Sequence, residues 1–304
     1  MNEETKVIKP KAIKPKVRPA EIEDFDKVYP LLKEINSKRL TRDDWFHLFQ
    51  NHWVIEEFSP GIVLEAGDEI VGYIGTIYSK QMLAGQPCLF CNLTSWIVQD
   101  EYRSHSIMMI FPILRNKKFR DRNLILTSFS SNDVTYNVYK KLGFKDGNVS
   151  KRIVYPFPFF NKFSFSKEVS KEYQIIIDSK KIDENINSET KALFDDHKSF
   201  GNIYTLIKYQ GKQCLLMGVK RNKLFKLYYV SDKLFFQTHL KYFRTALMKM
   251  LQANKMRVDE QLLNDAPLFL SRKVTRGNPY QYKSKMDILN TLSPEYSEIF
   301  LLNM

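Results

Sequence analysis

Tyr139 carries a phenol and Asn132 an amide, both able to give or take a hydrogen bond. They stand seven positions apart. That is almost two helical turns, so on one helix both side chains reach one groove. The intervening stretch reads as a helix over 134–142, capped by Ser131-Asn132-Asp133 and stopped by Gly143. Cys88 and Cys91 form a C-x-x-C, a spacing used by zinc and redox sites. They fall on a predicted strand over 88–98, where residues three apart point to opposite faces. No second Cys/His pair stands near to complete four ligands. The expectation is two buried strand thiols and no metal. His47, His52, His105, His197 and His239 show no ligand spacing either.

These residues need elements to position them. A short strand at 16–20 leads into Glu21-Ile22-Glu23-Asp24, an acidic first turn suited to a helix that runs to about Ile35. A second helical stretch surrounds residues 43–49. Strands over 61–66 and 70–78 flank Gly67-Asp68, a hairpin signal. The strand over 88–98 follows, then a polar turn, an apolar helix from about His105 to Asn116, and a strand over 124–128. This order predicts an α/β domain with a mixed central sheet.

Three of these segments resemble the GNAT superfamily, the CoA-dependent N-acyltransferases. Val17-Arg18-Pro19-Ala20-Glu21-Ile22-Glu23-Asp24 is similar to the family's first strand and turn. Residues 98–108, Val-Gln-Asp-Glu-Tyr-Arg-Ser-His-Ser-Ile-Met, are similar to its pyrophosphate loop. Asn132 with Asn137-Val138-Tyr139-Lys140-Lys141-Leu142-Gly143-Phe144 is similar to its C-terminal helix. The likeness covers about residues 16–155. It implies a GNAT fold, acetyl-CoA as acyl donor, and a primary amine on a small molecule as acceptor, such as an amino sugar or amino acid derivative, attacking directly in a ternary complex.

The resemblance also implies roles. Unpaired backbone N–H groups at a helix start are an anion site, so Arg103, Ser104, His105, Ser106, Ile107 and Met108 are expected at the pyrophosphate. The family usually reads Arg/Gln-x-x-Gly-x-Gly/Ala here. This chain has Ser106 and Met108 at the two small positions. The backbone near Trp96 and Val98 is expected to pair with the pantetheine arm, Asn132 to hydrogen-bond it, and Lys140 to approach the phosphates. Tyr139 stands at the general-acid position, and a phenol of pKa ~10 is roughly matched to an alkyl thiolate. Many members place a glutamate where Asn92 stands; an amide takes no proton at neutral pH but can orient a water or the amine. Glu56, Glu57 and Glu65 read as surface partners of lysines. Ser106, Met108 and Asn92 favour an alternative, a catalytically degenerate CoA-fold binding or scaffold protein.

Composition bounds the rest. Of 304 residues, 43% are hydrophobic and 27% charged, which excludes collagen, a disulfide scaffold and wholesale disorder. No apolar run reaches the ~18 residues of a membrane span, and the start lacks an apolar leader core. Three cysteines suit a reducing, cytoplasmic setting. The formal charge of +13 is uneven. Residues 1–18 hold six basic against two acidic side chains, residues 19–155 seventeen against seventeen, and residues 156–304 twenty-four against fifteen. The charges form no dense block, which argues against nucleic acid, but a basic second half suits a phosphorylated or nucleotide-linked acceptor. The Ile-Lys-Pro-Lys repeat within 1–16 reads as a flexible basic tail. Residues 17–155 read as the GNAT domain and 156–172 as a linker. Residues 173–304 restart the pattern: strands over 173–178, 203–209, 213–220 and 225–231, a helix over 188–197, and an amphipathic helix over 234–254. Further strands are expected near 256–262, 268–272 and 298–302. This is a second, degenerate GNAT-like unit without a glycine-rich turn, expected to wall off the acceptor cleft.

Overall fold

The computed structural model describes residues 14–304 apart from 36–38, 55–57, 84, 116–123, 148–149, 158–171, 264–267, 275–276, 287 and 289–291. The tail over 1–13 and most of the expected linker lie outside the described residues.

The first unit begins with β1 (Lys16–Pro19), α1 (Phe25–Glu34) and α2 (Arg42–Phe46). Thr41 caps α2, its side chain accepting from the Asp44 N–H. β2 (Gly61–Ala66) and β3 (Glu69–Leu83) follow, then β4 (Gln86–Val98). Gly67 turns the β2–β3 hairpin at φ +66°, a conformation open to glycine without cost. A 3-10 helix over Asp100–Ile110 runs into α3 (Phe111–Arg115). β5 (Leu124–Ser128), α4 (Asp133–Lys141) and β6 (Lys145–Asp146) complete the set. The apolar α-helix expected over 105–116 is therefore mostly 3-10. Pro112 has no N–H to give the Met108 carbonyl, so an α-helical ladder cannot extend back through residue 108. The Phe111 N–H bonds Met108 three residues back instead.

β7 (Lys151–Val154) ends the first unit, and the second holds β8 (Gln174–Ile176), α5 (Ser179–Asn185), α6 (Ser188–His197), β9 (Ile203–Tyr209), β10 (Lys212–Arg221) and β11 (Leu224–Val230). It continues with α7 (Lys233–Met250), β12 (Lys255–Asp259), β13 (Ser271–Val274), β14 (Gln281–Lys283) and α8 (Glu298–Leu301). Residues 298–302, expected as a strand, are helical at 298–301: the Ser297 side chain accepts from the Ile299 N–H and starts the turn.

Two seven-stranded sheets result, ordered β1-β2-β3-β4-β5-β14-β6 and β8-β9-β10-β11-β12-β7-β13. Their pairings match strand for strand. All neighbours are antiparallel except β4·β5 in one and β11·β12 in the other. The sixth place in each sheet is filled from the other half of the chain. β7 leaves the first unit to pair with β12 and β13, and β14 returns to pair with β5 and β6. A boundary at residue 155 thus does not separate the sheets.

The two sheets share one apolar core. Phe90 and Ile125 of the first pack with Leu206, Leu215 and Met217 of the second and with Ile299 and Phe300 of α8. On the far face of the second sheet, α7 buries Phe235, Leu240, Phe243 and Leu247. Tyr139 and Phe144 join Met109, Ile110 and Ile113 on the far face of the first. Among the described residues, no helix is long and apolar enough to cross a membrane.

Candidate active site

β4 and β5 pair only from Leu89 to Asn92, opposite Leu124 to Thr127. Beyond Asn92, β4 runs on to Val98 with its β5 side unpaired. A bulge reshapes this free stretch. Gly75 pairs with Thr94 and Tyr73 with Ile97, so Ser95 and Trp96 together oppose one residue of β3, and Ser95 takes φ +51°. Such bulges re-aim side chains and backbone groups.

A groove of about 510 Å³ follows this edge. Trp96, Ile97 and Val98 form one wall, Arg103 and Ser106 of the 3-10 helix another, and Asn132, Thr135 and Val138 of α4 the third. A smaller cavity of about 140 Å³ lies deeper and shares Ile35, Trp96, Asn132 and Thr135 with the groove. Thr94, Ser95, Ser128, Ser130, Tyr139 and Glu298 line it, with Leu302 and Met304 from the end of the chain.

Of the expected residues, Trp96, Val98, Arg103, Ser106 and Asn132 meet in the groove. Ser104, His105, Ile107 and Met108 are not on its wall. Met108 is 43% exposed, so it does not narrow the approach. Ser104 Oγ and His105 Nδ1 lie 3.2 Å apart on the surface. Asn132 Oδ1 accepts from the Thr135 N–H at 2.9 Å as the cap of α4, which leaves its amide nitrogen as the group it could offer a ligand. Lys140 is turned aside: its Nζ donates to Asp146 at 2.9 Å. Glu65 accepts from Arg18 at 3.1 Å rather than from a lysine, and Glu56 and Glu57 lie outside the described residues.

Tyr139 is 1% exposed, against Trp96 and Phe144 with ring centroids 5.5 and 4.7 Å away. Burial holds its phenol far above the usual value, the Glu298 charge adds to this, and a bond with Ser128 opposes it. Burial therefore keeps the proton on the oxygen and makes this phenol a weaker acid than an unshifted tyrosine.

Asn92 is 1% exposed and does not line the cavity. Its Oδ1 accepts from Thr127 Oγ1 at 3.3 Å, and its Nδ2 donates to Glu298 Oε2. Ser130 Oγ donates to the other oxygen, Oε1. Glu298 is the group that the sequence reading missed. Burial raises its pKa above the ordinary carboxylate value, with the Ser130 and Asn92 bonds opposing. A carboxyl group thus sits beside the amide where the family more often has a glutamate, supplied from 206 residues away. Nothing in the local sequence around Glu298 marks it.

The end of the chain also fixes α4. Asn278 Nδ2 donates to the Ser131 carbonyl and to Asp133 Oδ1 at 3.1 and 3.0 Å. Gln281 Nε2 donates to the Tyr136 carbonyl at 3.2 Å and Lys283 Nζ to the Leu142 carbonyl at 2.7 Å. The Cys88 and Cys91 thiols are buried in the cores on opposite faces of the first sheet, as the strand period requires. Among the described residues no group of three or more His, Cys, Asp or Glu could hold a metal.

No family model and no curated protein matches the chain. Solved structures do. A probable N-acyltransferase of Enterococcus faecalis aligns with TM-score 0.60 at 9% identity, over 89% of this chain and 73% of that one. A GCN5-related N-acetyltransferase of Anabaena variabilis aligns with TM-score 0.59 at 11% identity, over 89% and 73%. A GCN5-related glucosamine N-acetyltransferase region of a fungal multi-domain β-N-acetylglucosaminidase aligns with TM-score 0.56 at 11% identity, over 91% of this chain and 38% of that one. With a mixed sheet whose fourth and fifth strands part over a groove, and a second sheet repeating the same pairings, the chain has the fold of the GCN5-related N-acetyltransferases.

Proposed function

We propose that the chain is an acetyl-CoA-dependent N-acyltransferase that acts on a primary amine of a small molecule such as an amino sugar or amino acid derivative. The observation that carries this reading is the continuity of the groove along the free edge of β4 with the cavity that holds Tyr139 and Glu298. An unpaired strand edge offers N–H and C=O groups in a row, which suits the amides of a pantetheine arm. Arg103 and Ser106 on the groove wall would take the pyrophosphate, Arg103 exchanging its ion pair with Asp100 for it. Asn132 and Thr135 stand where groove and cavity meet.

When bound, acetyl-CoA supplies an electrophilic thioester carbonyl. The residues of the chain manage the protons. Tyr139, kept protonated by burial, donates from its Oη to the departing sulfur. Glu298 accepts the proton of the attacking amine, its raised pKa bringing it nearer the working pH than an ordinary carboxylate. Asn92 and Ser130 hold that carboxylate in place. Leu302, Met304 and Trp45 close the cavity against bulk water.

The test is thiol release from acetyl-CoA over a panel of amino sugars, amino acid derivatives and polyamines, beside the melting temperature with and without acetyl-CoA. Amine-dependent release together with a raised melting temperature supports the reading. A raised melting temperature without turnover on any amine favours a binding module, and neither effect removes the CoA site.

A further inference from the structure

The face of the second sheet turned toward the first unit carries a cluster of cations that acyl transfer does not use. Phe225 and Leu227 of β11, Met256 and Val258 of β12 and Val154 of β7 point into the core beneath α7. By the two-residue period, Lys226, Arg257 and Lys151 point to the opposite face. Arg221 of β10 joins them, two residues after Val219, which packs between the sheets.

Lys226 and Arg257 are direct partners across the β11·β12 ladder, an arrangement of like charges that costs stability. Their neighbours do not relieve it. Among the described residues, none of Arg221, Lys226, Arg257 and Lys151 is within ion-pair distance of a carboxylate, whereas Arg152 and Lys273 on the same strands' other side share Glu260 at 2.7 and 2.8 Å. The Nε of Arg221 is buried with no hydrogen-bond partner. Asp259 on this face is 6% exposed, and its burial raises its pKa despite Lys151 and Arg257. Lys226 is pushed down to about 8, first by burial and then by Arg257, Arg221, Arg39 and Lys151. Half-buried cations kept together with so little negative charge repel one another, and an anion among them would relieve that repulsion.

The buried Tyr228 stands between the cluster and the inner cavity. Arg257 Nη2 donates to Tyr228 Oη at 3.0 Å, and that hydroxyl lies 3.4 Å from the carbonyl of Met304, which lines the cavity beside Glu298. Resting on the acyl-transfer reading for the site next door, we infer that the acceptor amine carries a phosphate group, held by Lys226, Arg257, Arg221 and Lys151 on the second sheet. The two guanidinium groups supply paired donors for phosphate oxygens and the lysines supply point charges. The degenerate second unit thereby selects the acceptor.

The experiment is thermal melting of the full chain with inorganic phosphate against chloride at equal ionic strength, with coenzyme A at saturation to occupy the groove. Phosphate raises the wild-type melting temperature, and K226M combined with R257Q abolishes that rise. In chloride, K226M alone raises the melting temperature by roughly 1–3 °C, because it removes a like-charge contact. In turnover, a phosphorylated amine has a KM at least about tenfold lower than its unphosphorylated parent, and K226M removes that preference while leaving the KM for acetyl-CoA unchanged. No phosphate effect on the wild type, or an equal effect on the double variant, overturns the inference. So does a panel that prefers the unphosphorylated amine. If acetyl-CoA is neither bound nor turned over, the acyl-transfer reading fails, and the phosphate arm still decides whether the cluster binds an anion.

Discussion

The proposed chemistry turns on how Tyr139, Glu298 and Asn92, all buried, are held together. Glu298 has both carboxylate oxygens occupied, by Asn92 and Ser130, and its burial favours the neutral form. A base must be ionised to act, so kcat/KM is expected to fall with decreasing pH through an acid limb lying above the ordinary carboxylate range. E298Q should lower kcat by roughly 10²-fold or more and remove that limb, as a pH–rate profile will show. Stability has its own sign. The folded state holds the Glu298 proton to higher pH than the unfolded chain does, so folding loses stability as pH rises from the unfolded pKa through the raised folded one. E298Q should flatten this part of the stability–pH curve in chemical denaturation. Removing Asn92 acts differently, since N92L strands a buried carboxylate oxygen and should cost about 1–3 kcal/mol by urea titration. Tyr139 and Asn132 were legible through the resemblance of residues 132–144 to the GNAT helix, and both line the cavity. Glu298 was not, because a residue in a four-residue apolar run carries no periodic signal and its partners are far away along the chain.

At the scale of elements, the bulge in β4 is what separates the groove wall from a plain strand. Ser95 holds φ +51°, where a β-branched side chain is strained. S95G is expected to keep or slightly raise stability, while S95V should lose about 1–3 kcal/mol in denaturant melts and turnover with it. Strands β2, β3 and β4, rich in β-branched and aromatic residues, and the Gly67 turn could be read from sequence, as could α7 with its apolar face. The 3-10 segment could not, since the apolar pattern over 105–116 fits a helix and only Pro112 forbids the α ladder. Strand β14, three residues long, has no pattern at all. Its place is set by pairing with β5 more than 150 residues away, and a local reading cannot see such a partner.

For the whole molecule, the exchange of β7 and β14 makes the two units one folding problem. The first sheet lacks its sixth strand, and the cavity lacks Glu298, unless the C-terminal segment is present. A fragment of residues 14–157 is therefore expected to show no cooperative melt and no acetyl-CoA effect, as calorimetry will report. Proteolytic cleavage within 158–171 of the intact protein should leave both pieces associated on gel filtration, because each strand stays in the other's sheet. The tandem plan was legible from the restarted order of elements after residue 173, whereas the exchange was not, because a boundary drawn by composition follows the chain and pairing does not. All of this serves the claim that the free edge of β4 delivers an acyl group to a cavity where Tyr139 holds a proton for the departing thiol. The most direct test is acetyl-CoA thiol release by wild type and Y139F, with acetyl-CoA affinity measured alongside. The expected result is amine-dependent release by wild type and a loss of roughly 10²-fold or more in Y139F at unchanged affinity; equal rates in the two proteins would contradict it.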